Sequence, residues 1–186
     1  MKIISLLSIM LLLVLTSCDT STSDTLIAKN QLGLLDPSTR IDELNSILEN
    51  DSIAEFDLES RNRTQEIEVF DSNSKVSLVI EPNYKSDSLV TISEIQILDP
   101  KYKTKKGLGI DGTFKTVYEN YKISNIQNSI NSIIINIEEL GAYIVIDKKH
   151  LPSELRFDSE LKIEANQIPD DAPFRYFWLR FEDSNQ

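Results

Sequence analysis

The chain has 186 residues, 30 acidic against 19 basic, a formal charge of −11, and a single histidine, cysteine and tryptophan. Such a surface repels phosphate backbones and anionic headgroups, which argues against nucleic acid as a partner. One cysteine rules out an internal disulfide, and one histidine rules out metal or nucleophile arrangements that need two histidines or a histidine beside a free thiol.

Lys2 precedes a largely apolar run over residues 3–15. That run is too short to cross the roughly 30 Å hydrocarbon core as a helix, but it suits the apolar region of an export signal. It ends in Leu15-Thr16-Ser17-Cys18, which resembles the lipobox of bacterial lipoproteins: an aliphatic residue, a small residue, Gly/Ala/Ser, then cysteine. The resemblance implies cleavage before Cys18, a thioether-linked diacylglycerol on its sulfur and acylation of the new amino group. Each buried methylene contributes about 0.8 kcal/mol, so two or three acyl chains hold a protein where one is marginal. Residues 1–17 are therefore expected to be a signal peptide, and residues 18–24 a lipidated cysteine with a polar tether. The expected location is the bacterial cell envelope, at the outer membrane on its periplasmic or surface face. Loss of residues 1–17 leaves 169 residues with 18 basic and 30 acidic side chains, a charge of −12. That length suits one α+β domain over residues 25–186.

Leu26, Ile27 and Ala28 are expected to form a brief strand before a turn at Gly33. A helix is expected next, capped by Ser38 or Thr39, with Asp42 in its first turn and an apolar stripe of Ile41, Leu44, Ile47 and Leu48. An extended segment over 53–58 and a polar loop over 59–65 follow. Ile67 and Val69, then Val76, Leu78 and Ile80, alternate around the turn at 71–74, the pattern of a hairpin with one buried face. In the next strand Val90 and Ile92 are out of phase with Ile95 and Ile97, and a bulge near Ser93-Glu94 would restore the register. Residues 99–106 are a basic, polar connector. Thr113 is expected to cap a second helix with the stripe Phe114, Val117, Tyr118 and Tyr121. Strands are then expected over 132–137, 142–147, 160–165 and 174–181, with a hairpin turn at 138–141. The last strand, with Phe174, Phe177, Trp178, Leu179 and Phe181, is apolar enough to be central. The fold class is α+β: an antiparallel sheet with two short amphipathic helices against it.

A shift of 74 residues places Gly33-Leu34 on Gly107-Leu108, Thr39 on Thr113, Leu44 on Tyr118 and Ile47 on Tyr121. A tandem helix-and-sheet duplication, with halves 25–99 and 100–186, would produce such an echo. Residues 104–113, T-K-K-G-L-G-I-D-G-T, followed by Val117 and Tyr121, resemble the T-x-x-G-h-x-h-G-[ST]-x-x-x-V-x-x-x-Y signature of the BamE and β-lactamase-inhibitory-protein group. The resemblance implies a binding or assembly role, and carries no functional residue over.

No constellation for catalysis emerges. His150, next to Leu151-Pro152, reads as a loop residue. Glu138-Glu139 and Asp170-Asp171 sit in turns, where solvated charge is expected. Asp71-Ser72-Asn73 opens like a calcium loop, but Val76 and Pro82 occupy the positions that need glycine and the bidentate glutamate. Gly107, Gly109 and Gly112 lack the Lys-Ser/Thr of a phosphate loop. Asp24-Thr25-Leu26, Asp51-Ser52-Ile53 and Asp87-Ser88-Leu89 look like the O-glycosylation sequon of Bacteroidota. Tyr118, Tyr121, Tyr143 and Trp178 fall on periodic apolar faces and are assigned to the core. The expectation is a non-enzymatic envelope lipoprotein with no catalytic, cofactor or metal residues. Its partners are the membrane, through lipid on Cys18, and another protein. The alternative is a small-ligand or glycan-binding lipoprotein in which those aromatics line a pocket.

Overall fold

The computed structural model describes residues 24–54, 66–84 and 89–182. Cys18, the signal segment and the tether through residue 23 lie outside the described residues, as do residues 55–65 and 85–88.

Short strands β1 (Leu26–Ala28) and β2 (Gln31–Leu32) form a hairpin, and β7 (Lys103–Thr104) adds to it in parallel. The large sheet contains β3 (Ser52–Ile53), β4 (Ile67–Phe70), β5 (Val76–Asn83) and β6 (Thr91–Ile97) from the first half of the chain. The second half supplies β8 (Asn125–Asn128), β9 (Ser132–Ile137), β10 (Ala142–Asp147) and β11 (Tyr176–Arg180). Its order is β3-β4-β5-β6-β11-β10-β9-β8, antiparallel throughout. Each half is thus a four-strand meander, and the meanders meet along their last strands, β6 and β11.

Helix α1 (Leu44–Ile47) continues a 3-10 turn over Ile41–Glu43, and α2 (Phe114–Asn120) precedes β8. Thr113 stands at the N-cap of α2 as expected but makes no side-chain cap hydrogen bond, and the first helical turn of the other unit follows Arg40 rather than Ser38 or Thr39. The first free N–H groups of each helix find backbone carbonyls instead. Ile41 N donates to Val90 O (3.0 Å), and Phe114 N and Lys115 N donate to Ala172 O and Asp170 O (both 2.9 Å). Strand-like bridges Arg40↔Thr91 and Thr113↔Pro173 hold these contacts. A donor already paired with backbone leaves a side-chain cap nothing to satisfy. Thr39 Oγ1 instead accepts from Asp36 N, and the Asp36 carboxylate accepts from Ser38. The two halves therefore share one device, a helix start pinned to the lead-in of its own meander's fourth strand. Gly33 (φ +57°) and Gly107 (φ +80°) both take the left-handed turn that glycine permits.

One face of the large sheet is the core. Ile67, Ile80, Ile95, Leu179, Ala142 and Ile137 are cross-strand neighbours in one row, and all are buried. Ile41 and Leu44, Phe114 and Val117, Ile27 and Leu32 of the small sheet, and Leu151, Leu155 and Ile163 join the same cluster. Each such side chain contributes about 1.5–3 kcal/mol by leaving water. The fold is α+β, with one layer of sheet and one of helices, turns and small sheet.

The hairpin at 71–74 and the strands at 132–137 and 142–147 agree with the alternation in the sequence. The bulge falls where the phase shift requires it: Glu81 pairs with Glu94 and Pro82 with Ile92, leaving Ser93 as the extra residue. The strand expected over 160–165 is absent. Ile163 is buried but Leu161 is exposed, and residues 165–167 form a 3-10 turn closed by a capping box from Glu164 to Gln167. The edge beside β9 is taken by β8, whose polar sequence gives no strand signal. Asn128 of β8 donates to the carbonyls of Asp158 and Leu161 (2.9 and 2.8 Å), tying down that segment as a loop.

Candidate functional site: the open face of the sheet

Alternation along the strands sends every second residue to the face away from the helices. The buried apolar residues of the described helices all belong to the core on the other side, so among the described residues no helix covers this face, although Val79 and Val145 on it are buried. One row across it reads Glu68, Val79, Gln96, Trp178, Tyr143, Asn136 and Asn125. Beside it lie Glu81, Glu94 and Arg180 on one flank, and Tyr176, Val145, Ile134 and Gln127 on the other.

The centre of the face is a connected cluster. Tyr143 and Trp178 are directly opposite on β10 and β11, and their rings stack with centroids 6.0 Å apart and planes at 4°. The Arg180 guanidinium lies 4.1 Å from the centre of the Tyr143 ring, a cation-π contact. Glu94 accepts from both: Tyr143 OH donates to its Oε2 (2.9 Å) and Arg180 Nε to its Oε1 (3.0 Å). Arg180 Nη1 also donates to Asn136 Oδ1 (3.2 Å). Burial, the Glu94 charge and the hydrogen bond to it push the Tyr143 phenol well above its ordinary pKa, so it remains a donor. Glu81 is pushed up as well, by burial and then by the charges of Glu94, directly opposite, and Glu66. At the far flank Arg175 reaches Asp147 (2.8 Å) and lies over the Tyr176 ring. Burial raises the Asp147 pKa, but Arg175 and Lys149 together hold it below the usual value.

The four aromatics assigned to the core separate. Tyr121 is buried, its hydroxyl bonded to Thr104 Oγ1 (2.6 Å), as expected. Tyr118 is 53% exposed on α2. Tyr143 and Trp178 are half-buried on the open face, because they alternate with Ile144, Phe177 and Leu179, which take the core. The sequence signal for this was present: Arg180 is in phase with Trp178, and an arginine does not enter a core unpaired.

Two clefts lie elsewhere. One, of about 240 Å³, is lined by Ile27, Lys29, Thr104, Lys106, Tyr121 and Leu140 among others, with Lys106 over the Tyr121 ring. The other, of about 160 Å³, surrounds Tyr102, where Lys101 spans Asp51 and Asp99 (3.7 and 3.6 Å). Neither includes Tyr143 or Trp178. Asp71 is occupied in its turn, accepting from the N–H groups of Asn73 and Lys75 (2.8 and 2.9 Å). His150 ends a 3-10 turn after β10. Glu139 is exposed and accepts from Lys122 N, and Asp170 and Asp171 are exposed. Among the described residues no group of three or more His, Cys, Asp or Glu side chains is placed to hold a metal, and no helix is long and apolar enough to cross a membrane.

No protein-family model matches the chain, and no curated protein matches it by sequence. Among solved structures it is similar to the uncharacterized protein yfeY from Escherichia coli, with a TM-score of 0.53 and 17% identity, over 84% of this chain and 99% of that one. At that identity the likeness is one of fold.

Proposed function

We propose that this protein is a lipid-anchored component of the bacterial envelope that acts without catalysis, by docking another protein on the open face of its sheet. The observation that carries the reading is the composition of that face. Trp178, Tyr143, Tyr176 and Arg180 are the residue types that supply most of the binding energy where proteins meet, and here they are adjacent. They sit on central strands rather than loops, so their positions are fixed before a partner arrives and little ordering cost is added on binding. The anchor rests on Leu15-Thr16-Ser17-Cys18 and the apolar run before it.

The alternative of a glycan site draws on the same rings and is less well supported. Sugars stack on a free aromatic face, whereas Tyr143 lies against both Trp178 and the Arg180 guanidinium.

Affinity purification of the full-length protein from its native envelope in mild detergent tests the docking reading. A co-purifying protein should be lost from a Tyr143→Ser, Trp178→Ser variant that still melts cooperatively. An unchanged set of co-purifying proteins would contradict it.

A further inference from the structure

The face that carries the aromatics also carries an imbalance of charge. Glu68, Glu81 and Glu94 project from three neighbouring strands, with Glu66 one residue before β4, and Arg180 is the cation paired with Glu94 on this face. Glu81 and Glu94 are directly opposite, an arrangement of like charges that destabilises a sheet. The Glu81 pKa is raised by burial first and by that repulsion second. A carboxylate held at such a cost beside a ready-made aromatic platform is suited to a cation that arrives from outside.

We infer that the partner docked on the open face presents a cationic segment, with a lysine or arginine side chain reaching Glu81 and Glu68 while a neighbouring apolar side chain covers Trp178 and Tyr143. This rests on the docking reading above and adds the chemistry of the partner. β5 and β11 are two strands apart, about 10 Å at the usual spacing. On a helix that distance is spanned by two side chains two turns apart, and in an extended segment by residues i and i+2 on one face, about 7 Å apart, once the length of a lysine or arginine side chain is added. A second copy of the chain is disfavoured, since a chain of formal charge −11 meets its own like charge, and so is an anionic lipid surface.

Trp178 is the only tryptophan, so its emission reports this face alone. The full-length protein in detergent is titrated with three ten-residue peptides in which leucine recurs every third position and the remaining charged positions are arginine, serine or glutamate. The arginine peptide should shift Trp178 emission saturably, about tenfold more tightly than the serine peptide, with an affinity that weakens as salt rises. Glu68→Gln with Glu81→Gln should remove that tenfold advantage in a protein that still melts cooperatively. Equal binding of the arginine and serine peptides would overturn the inference and leave the docking reading standing. Preference for the glutamate peptide, or no emission change with any of the three, would also overturn it, whereas the docking reading is tested separately by co-purification and crosslinking.

Discussion

Glu94 and Arg180, 86 residues apart in the chain, are paired across the β6–β11 junction, where the two four-strand meanders become one sheet. The pair is about half exposed on the arginine side, so its energy is that of a screened surface ion pair. A double-mutant cycle with Glu94→Gln and Arg180→Gln should give a coupling of about 0.5–1 kcal/mol at low salt, shrinking in 1 M salt. Urea unfolding of the four proteins measures it.

Phe177 and Trp178 are consecutive but face opposite ways. Phe177 is fully buried, and Phe177→Ala should cost about 3–5 kcal/mol through lost burial and the cavity it leaves. Trp178, half-buried on the open face, should cost less than about 2 kcal/mol when changed to alanine. Similar losses for both in chemical denaturation would show that Trp178 belongs to the core.

Glu81 has a folded pKa above its unfolded value, raised by burial and then by Glu94 and Glu66, so between the two the folded state binds more protons than the unfolded one. Its contribution to stability therefore falls as pH rises through that window and stays unfavourable above it. Glu81→Gln should raise the melting temperature at pH 7, and the gain should vanish in acid. Asp147 has the opposite sign. Its folded pKa is lowered, so its contribution is present above the unfolded pKa and is lost as pH falls through the folded one. Asp147→Asn should lower the melting temperature at pH 7 and make no difference in acid. Melts of the three proteins from pH 3 to pH 8 separate the two effects.

Gly141 closes the β9–β10 turn with φ +63°, and a Cβ there would meet Arg180 O at 3.2 Å. Gly141→Ala should cost about 1–2 kcal/mol from the left-handed backbone alone, and more if Arg180 is displaced. Thermal unfolding provides the measure.

Much of the sheet was legible because period-2 alternation is a direct consequence of having one buried face. Ile67 with Val69, Leu78 with Ile80, and the phase slip at Ser93 each gave the correct strand. β8 was not legible, since Asn125 and Gln127 face solvent at a sheet edge and only Ile126 carries the pattern. The opposite error arose at residues 160–165, where Leu161, Ile163 and Ala165 alternate without a strand partner. Thr39 and Thr113 were good cap residues on local grounds, but tertiary contacts from Val90 and from Ala172 supplied the acceptors first. For the open face, composition misled: Trp178 and Tyr143 are apolar enough to be read as core, and only their phase relative to Phe177 and Arg180 reveals the other side. Directly opposite pairing, such as Tyr143 with Trp178 or Glu81 with Glu94, depends on strand order and register, which one sequence does not contain.

Lipid attachment is expected at Cys18. Metabolic labelling with a palmitate analogue should mark the wild-type protein and leave Cys18→Ser unmarked. Labelling that persists after the substitution would remove the anchor from the account.

The most direct test of the docking face is site-specific photocrosslinking in the native envelope, with a benzophenone amino acid placed at Trp178 or, as a control, at exposed Tyr118 on α2. A discrete crosslinked protein at position 178 and none at position 118 is the result predicted. Crosslinks at 118 with none at 178 would contradict it, and would move the functional surface to the helical side of the fold.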